Sequence, residues 1–156
     1  AAIRIAQRAR VPLRIAAKVD RPDQDYFDQV VRPLLDDPLV EFVGEVDDAG
    51  KAELLGDALA LLFPIDWPEP FGLVMIEAMA CGTPVVARPC GSVPEVVVDG
   101  VTGFVAESVE DMVEAVKRVD TLDRAACRRH VEERFSVPRM TDGYEAVYRR
   151  LVARAA

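Results

Sequence analysis

The chain has 156 residues and a formal net charge of −8, and 51% of its residues are hydrophobic. A chain of this length can bury a core without disulfides or metals, which indicates one globular domain and excludes wholesale disorder. The acidic balance argues against non-specific binding to nucleic acid, which depends on neutralising phosphates. No run of about 18 apolar residues occurs that would predict a membrane-spanning helix. Residues 1–13 also lack the apolar stretch of a signal peptide.

Short apolar runs rich in β-branched residues alternate with longer segments of helical periodicity. The runs predict strands at residues 13–19, 40–43, 58–63 and 84–87. The periodic segments predict helices around Ala6, after Ser108, and at residues 23–35, 51–55, 72–80, 122–133 and 137–153. Pro33 is expected to kink the helix at 23–35 or end it early, and the pairing of Ser108 with Asp111 is typical of a helix N-terminus.

Nearly all-apolar strands joined by helices are typical of a parallel sheet that is covered on both faces. The predicted fold is therefore an open, doubly wound, Rossmann-like α/β domain that takes in the whole chain, residues 1–156. Ligands of such sheets bind beyond the carboxyl ends of the strands, so the loops after Phe63 and Ala87 are the candidate site. The chain opens within a helix–strand pattern without a first strand, and is expected to be a piece of a larger protein.

The cysteines and the histidine do not have the spacing of a metal or nucleophilic site. Cys81, Cys90 and Cys127 are an odd number, which favours small buried thiols in a reducing cytoplasm over disulfides or metal ligands. His130 lies in the charged segment RAACRRHVEERF, which predicts a solvated helix face. Because no second histidine is present, serine–histidine and histidine–metal chemistry have little support.

Residues 64–83, PIDWPEPFGLVMIEAMACGT, carry the strongest chemical signal. Three prolines stiffen the loop, and Phe71, Gly72 and Leu73 place successive amides at the N-terminus of a helix. Such amides have no intrahelical acceptors, so an anion is favoured there, and Gly72 has no Cβ to obstruct a close approach. Gly82 is expected to end the helix in a left-handed conformation.

Two acids of this segment are candidate ligand-binding residues. Glu69 lies just before the helix, and Glu77 is the only charged residue between positions 71 and 83. A buried Glu77 without partners would be strongly destabilising, and a ligand with hydroxyl donors would suit it. The alternative is that Glu77 meets solvent while Glu69 caps the helix through an exposed hydrogen bond.

The segment resembles the E-x7-E motif of retaining, nucleotide-sugar-dependent glycosyltransferases of the GT-B architecture. Seven residues separate Glu69 from Glu77, EPFG begins the motif, and EAMACGTPVVA and GSVPEVVVDGVTGFV follow in that family's order. Upstream, VEFVGEVDDAGKAELLGDALALLFP is similar to the family's strand–helix–strand approach to the site. The resemblance covers nearly the whole chain and identifies it with the donor-binding C-terminal half of such an enzyme.

The resemblance implies a role for each matching residue. Glu69 would bind hydroxyls of the donor sugar and is the candidate catalytic residue, while Glu77 would accept both ribose hydroxyls of the nucleotide. The amides around Phe71, Gly72 and Leu73 would contact the sugar and the diphosphate. A nucleoside diphosphate sugar is the implied donor substrate, and the family needs neither a metal nor another cofactor.

The GSVPE segment is a second candidate contact. Gly91 would allow a tight turn near the donor, with Ser92 as a further loop contact and Pro94 at the start of a short helix. The alternative is an ordinary strand-to-helix connection that is capped by Ser92. Ser92 also departs from the family's usual second glycine, which weakens the expectation of a close backbone approach there.

Two parts of the resembling enzymes have no counterpart in these residues. The phosphate-binding segment G-R-x-x-x-x-K-G is missing, and Lys18, Lys51 and Arg88 are basic residues that could lie near the site without matching it. The acceptor-binding N-terminal domain also has no counterpart in these residues, so the fragment is expected to be inactive alone. The alternatives are a non-catalytic nucleotide-binding or interaction module and, with less support, an epimerase or phosphorolytic reaction.

The predicted terminal helix, residues 137–153, carries one apolar stripe at helical spacing. The stripe consists of Met140, Tyr144, Val147, Tyr148 and Leu151. In the resembling family this helix packs across the domain junction, so an interface with the missing domain, or a dimer in its absence, is expected. The alternative is that the stripe is buried against the domain's own sheet.

Overall fold

Five short parallel strands alternate with helices in the computed structural model, which describes residues 1–155. The strands are β1 (Leu13–Ala16), β2 (Val40–Gly44), β3 (Leu61–Phe63), β4 (Val85–Ala87) and β5 (Gly103–Val105). The helices are α1 (Ala2–Ala9), α2 (Gln24–Tyr26), α3 (Asp48–Asp57), α4 (Leu73–Ala80), α5 (Val93–Val96), α6 (Val109–Val116), α7 (Arg124–Arg134) and α8 (Val137–Ala155).

All strand pairs are parallel, and they form two sheets. One sheet joins β1 to β2, and the other has the order β3–β4–β5. The predicted α/β class with parallel strands is therefore confirmed. β4 begins one residue later than predicted, and β1 and β3 are each three residues shorter than predicted. The β1 ladder becomes irregular between Ile15 and Ala16, and Ala58 lies in the turn that ends α3.

The helix predicted at residues 23–35 is wrong as a single element. Two turns of 3-10 helix, at Arg21–Asp23 and Arg32–Asp36, enclose α2 and a π-helical stretch at Phe27–Val31. Pro33 has no amide hydrogen and its ring clashes with the preceding turn, so regular α-helical bonding cannot pass through it. The early interruption of the helix expected at Pro33 is confirmed.

The hydrophobic core lies on both faces of β4, whose three residues are completely buried. Val85 and Ala87 belong to one cluster, whereas Val86 belongs to the other, as expected from the alternation of side chains along a strand. The helices that contribute buried side chains are α3, α4, α5 and α7 for the first cluster, and α1 and α6 for the second. This two-sided packing makes the domain doubly wound.

Local sequence chemistry explains where several helices begin and end. The Ser108 hydroxyl accepts a hydrogen bond from the Asp111 amide at 3.0 Å, which confirms the predicted start of α6. Asp47 caps α3 in the same way through the Gly50 amide, at 2.8 Å. Gly82 follows α4 with φ +78°, the left-handed conformation that was predicted for it.

The terminal helix α8 leaves its apolar stripe in solvent. Met140, Tyr144, Tyr148 and Leu151 are each more than half exposed, and Val147 is 39% exposed. Burial of this stripe against the domain's own sheet, one of the two alternatives above, is therefore wrong. Within residues 1–155 no helix is long and apolar enough to cross a lipid bilayer.

The histidine and the cysteines have structural surroundings. His130 is half-buried, lies 5.4 Å from the ring of Phe135 and hydrogen-bonds the Val96 carbonyl at 3.0 Å. The predicted solvated face is wrong at this position, because the imidazole contacts the Val96 carbonyl and the ring of Phe135. The cysteines are free thiols, as predicted, but only Cys127 is buried, and burial raises its pKa; Cys81 and Cys90 are half-buried.

Candidate functional site

The site is centred on the N-terminus of α4, which begins after the loop that follows β3. Gly72 precedes the helix with φ +74° and ψ 64°, a left-handed conformation that side chains with a Cβ adopt only with strain. A Cβ at Gly72 would also lie 2.6 Å from the methyl carbon of buried Met75. Backbone conformation therefore favours glycine here independently of any ligand, and a Cβ would in addition require the flexible Met75 side chain to shift.

The first amides of α4 provide hydrogen-bond donors. The Gly72 amide donates to Glu69 Oε1 at 3.1 Å, and the Met75 amide donates to the Gly72 carbonyl at 2.9 Å. Between them, the amides of Leu73 and Val74 have no acceptor among residues 1–155. Because the helix dipole places partial positive charge at this end, the two amides can bind an anion.

Glu69 is held at the cap by two donors. Its Oε1 accepts from the Gly72 amide, and its Oε2 accepts from the indole nitrogen of Trp67 at 3.1 Å. The capping alternative for Glu69 is confirmed only in part, because the bond to the Gly72 amide is half-buried, not exposed as predicted. Capping leaves room for a ligand, because each carboxylate oxygen has a second lone pair. Trp67 is a residue that the sequence analysis missed, and its only signal there was its position two residues before Glu69.

Glu77 lies four residues after the start of α4, about 6 Å along the helix axis. Its Oε1 accepts from the Lys51 ammonium at 2.8 Å, and both side chains are about one-third exposed. The hydrogen bond to Glu77, with a further one to Asp48, raises the pKa of Lys51. Glu77 is therefore neither buried without a partner nor fully solvated.

The Gly91–Ser92 loop packs on the backbone of the turn before α4. The Ser92 amide donates to the Glu69 carbonyl at 2.9 Å, and the Ser92 hydroxyl donates to the Phe71 carbonyl at 2.8 Å. A Cβ at Gly91 would lie 2.2 Å from the Glu69 carbonyl oxygen. The alternative in which the Ser92 side chain caps α5 is wrong, because its hydroxyl is bonded to the turn instead.

The structure thus brings Glu69, Phe71, Gly72 and Leu73 together with the Gly91–Ser92 loop, and Glu77 follows on the same helix. Phe71 is 38% exposed and Leu73 is 64% exposed, so the helix end is open to solvent. No group of three or more histidine, cysteine or acidic residues in the described part of the chain could hold a metal ion.

The basic residues singled out in the sequence are dispersed. Lys18 pairs with Asp20 at 2.9 Å on an exposed surface. Arg88 follows β4 directly and is half-buried, at the carboxyl edge of the sheet. Only Lys51 contacts a candidate site residue. Its pairing with Glu77 joins positions 26 apart in the sequence, so no local pattern indicates it.

The chain matches the family described as glycosyl transferases group 1 over residues 1–121. It is 30% identical over 152 residues to N-acetyl-alpha-D-glucosaminyl L-malate synthase of Bacillus anthracis, covering 90% of this chain and 39% of that protein. AviGT4, a glycosyltransferase involved in avilamycin A biosynthesis, superposes with a TM-score of 0.79 at 27% identity, covering 97% of this chain and 47% of that one. HepE of Anabaena, solved with UDP and glucose, shares the fold with a TM-score of 0.78 at 24% identity, covering 96% and 44%. The chain therefore spans less than half the length of these proteins.

Proposed function

This chain belongs to the glycosyl transferases group 1 family, and on that premise we propose that it binds the donor in a retaining sugar transfer. The reaction moves a sugar from a nucleoside diphosphate sugar to an acceptor hydroxyl. In this proposal the chain is the C-terminal half of a GT-B enzyme, and a separate N-terminal domain binds the acceptor. The observation that carries the proposal is the open N-terminus of α4, with one glutamate at its cap and a second one turn further on.

The diphosphate is assigned to the amide end of α4. In this assignment the N–H groups of Leu73 and Val74 donate to the diphosphate, and the helix dipole stabilises its negative charge. As the bond to the sugar breaks, negative charge grows on the departing diphosphate, so these fixed donors bind the transition state more strongly than the ground state. No metal or further cofactor is assigned to the site.

Glu77 is assigned to the two ribose hydroxyls of the nucleotide. Its Oε1 has one lone pair left after the bond from Lys51, and Oε2 has no partner among the described residues. Two hydroxyls can therefore donate to the carboxylate at once. Hydrogen bonds to an ionised carboxylate are shorter and stronger than neutral ones, which suits the selection of a ribose.

Glu69 is assigned to hydroxyls of the donor sugar and is the catalytic residue of the proposal. The acceptor oxygen attacks the anomeric carbon on the face that the diphosphate leaves, and a phosphate oxygen takes the acceptor proton. One carbon–oxygen bond forms as the other breaks, with the anomeric configuration kept. Glu69, fixed by Trp67 and the Gly72 amide, holds the sugar for this step.

The apolar stripe of α8 is assigned to the N-terminal domain of the same protein. This fits its exposure here and the greater length of the relatives. The fragment alone is proposed to be inactive, and a dimer through the stripe is the alternative when that domain is missing. A reducing cytoplasmic setting completes the proposal, since the three cysteines are free thiols.

Substitutions of the two glutamates test nucleotide binding and sugar transfer separately. UDP, the nucleotide in the HepE structure, serves as the probe. In the full protein, Glu77→Ala is expected to weaken UDP binding more than about tenfold, because two charge-assisted hydrogen bonds are lost. Glu69→Ala is expected to lower turnover of the UDP-sugar while UDP affinity stays within about twofold. Isothermal titration and initial rates measure the two effects, with Glu114→Gln on α6 as the control.

Two results would contradict the assignment. Unchanged UDP affinity in Glu77→Ala removes the ribose role, and a wild type that binds none of UDP, GDP or ADP favours a non-catalytic interaction module.

The retaining mechanism is tested separately, by determining the anomeric configuration of the product by NMR. An α-linked donor is expected to give an α-linked product, and a β-linked product would refute the retaining mechanism.

A further inference from the structure

We propose that Lys51 is a positioning residue that holds the Glu77 carboxylate ready for the ribose, an inference that rests on the proposed function. Its ammonium donates to Glu77 Oε1 at 2.8 Å across the space between α3 and α4. The second carboxylate within reach, Asp48 at 3.3 Å, is completely exposed. Glu77 is therefore the principal partner of Lys51.

The position of Lys51 is fixed by the start of its own helix. Lys51 lies in the first turn of α3, where Asp47 accepts from the Gly50 amide at 2.8 Å. The Lys51 amide itself donates to the Asp47 carbonyl at 2.8 Å. Because this turn is capped, the ammonium reaches Glu77 from a well-defined backbone position.

The spacing between the two helices is held by further contacts beyond the ion pair. Thr83, which follows α4, donates its hydroxyl to the Leu55 carbonyl of α3 at 2.6 Å and is fully buried. The Cys81 thiol lies 3.8 Å from the Ala52 carbonyl. These contacts keep α3 beside α4, so no ligand is needed to bring Lys51 to Glu77.

This arrangement leaves Glu77 able to bind the ribose while restricting its motion. A glutamate side chain with three rotatable bonds loses freedom when it binds two hydroxyls, and that loss weakens affinity. Lys51 removes part of this freedom beforehand and occupies only one of the four lone pairs of the carboxylate. Since both side chains are partly exposed, the pair adds little to folding stability, and its effect on binding can be measured separately.

The test compares UDP with 2′,3′-dideoxy-UDP, which lacks the ribose hydroxyls, by titration of the full protein. Lys51→Met is expected to weaken UDP binding about fivefold while dideoxy-UDP binding changes less than about twofold. Lys51→Arg is expected to restore most of the UDP affinity. Lys117→Met is the matched control, because Lys117, which directly follows α6, forms an exposed ion pair with Glu114 at 2.7 Å. The buried residues of α6 belong to the other core cluster.

Each other result overturns the inference in a recognisable way. An equal loss for both ligands shows that Lys51 acts on the phosphates or the base, and no loss for either shows that the ion pair is irrelevant to binding. A wild type that does not distinguish UDP from dideoxy-UDP overturns the ribose assignment of Glu77 and this inference with it. Discrimination by the wild type with an unchanged Lys51→Met overturns only the role of Lys51.

Discussion

At the scale of single residues, the shape of the site depends on contacts between loops that are distant in the sequence. Gly91 lies against the backbone of Glu69, where a Cβ would be 2.2 Å from the carbonyl oxygen and 2.4 Å from the amide nitrogen. Its φ of +58° adds conformational strain for any other residue. Gly91 thereby shapes the turn that presents Glu69 and the amides of α4.

Gly91→Ala is expected to destabilise the protein by more than about 2 kcal/mol, since backbone atoms must move to accept the Cβ. Gly100→Ala is the matched control, because Gly100 has φ +72° with nothing within 4 Å of its Cβ position. It is expected to cost about 1 kcal/mol, the strain of the left-handed conformation alone. Urea unfolding measures both, and equal losses would show that the Gly91 contact is unimportant.

The residue chemistry of the site was predictable where it is local. The helix start at Gly72 and the glutamates at positions 69 and 77 follow from the motif. In the structure, the Glu69 carboxylate accepts a hydrogen bond from the Gly72 amide. The Trp67 and Lys51 partners were not predictable in the same way. The Lys51 contact depends on α3 lying beside α4, which is a product of tertiary packing.

At the scale of elements, one arginine joins three segments around the site. Arg124, the first residue of α7, donates to the carbonyls of Gly56 and Ala58 at 2.8 and 2.9 Å, and to the Thr83 hydroxyl at 2.7 Å. A cation at the C-terminal end of α3 also complements the helix dipole. Arg124 therefore helps to hold α3, and with it Lys51, against α4.

Arg124→Met is expected to lower the free energy of unfolding by about 2 kcal/mol, because hydrogen bonds from a charged donor are lost. Arg128→Met is the control on the same helix. Arg128 pairs with exposed Glu132 and reaches one carbonyl at 3.4 Å, so a loss below about 1 kcal/mol is expected. Equal effects of the two substitutions would contradict the role given to Arg124.

The order of elements was predicted well, whereas some of their boundaries were not. Helix ends with side-chain or glycine caps, such as those at Ser108 and Gly82, depend on local chemistry. The lengths of β1 and β3 depend on where their partner strands pair, and periodicity alone cannot supply this. The irregular region 21–36 shows the same limit, since Pro33 predicted a kink but not the π-helical turn before it.

At the scale of the whole molecule, surface ion pairs make stability depend on pH. Hydrogen bonds from arginines hold the pKa of three exposed carboxyls below their ordinary values: Asp28 beside Arg32, Glu110 beside Arg8, and Asp123 beside Arg129. A carboxyl with a lowered pKa in the folded state stabilises that state above its unfolded pKa. The contribution is lost as the pH falls through the folded pKa.

The urea midpoint is therefore expected to fall as the pH drops below about 4.5, the ordinary pKa of the glutamate. The three pairs are exposed, so added salt is expected to reduce this pH dependence. Unfolding curves over a pH series at low and high salt measure both effects. A midpoint that rises on acidification would contradict the assigned ion pairs.

The domain's architecture places the proposed donor site and the exposed α8 stripe on one chain that is less than half as long as its relatives. The doubly wound core supports α4 from beneath through Met75 and Met79, both completely buried. This packing anchors the helix end to which the proposal assigns the diphosphate, as an anion site that stabilises a leaving group requires.

A crystal structure of the full protein with UDP tests the central claim most directly. The diphosphate is expected within hydrogen-bonding distance, about 2.7–3.2 Å, of the Leu73 and Val74 amides, with both ribose hydroxyls on Glu77. A diphosphate bound elsewhere, for example in the arginine-lined groove beside α8, with no ligand at the N-terminus of α4, would contradict the account.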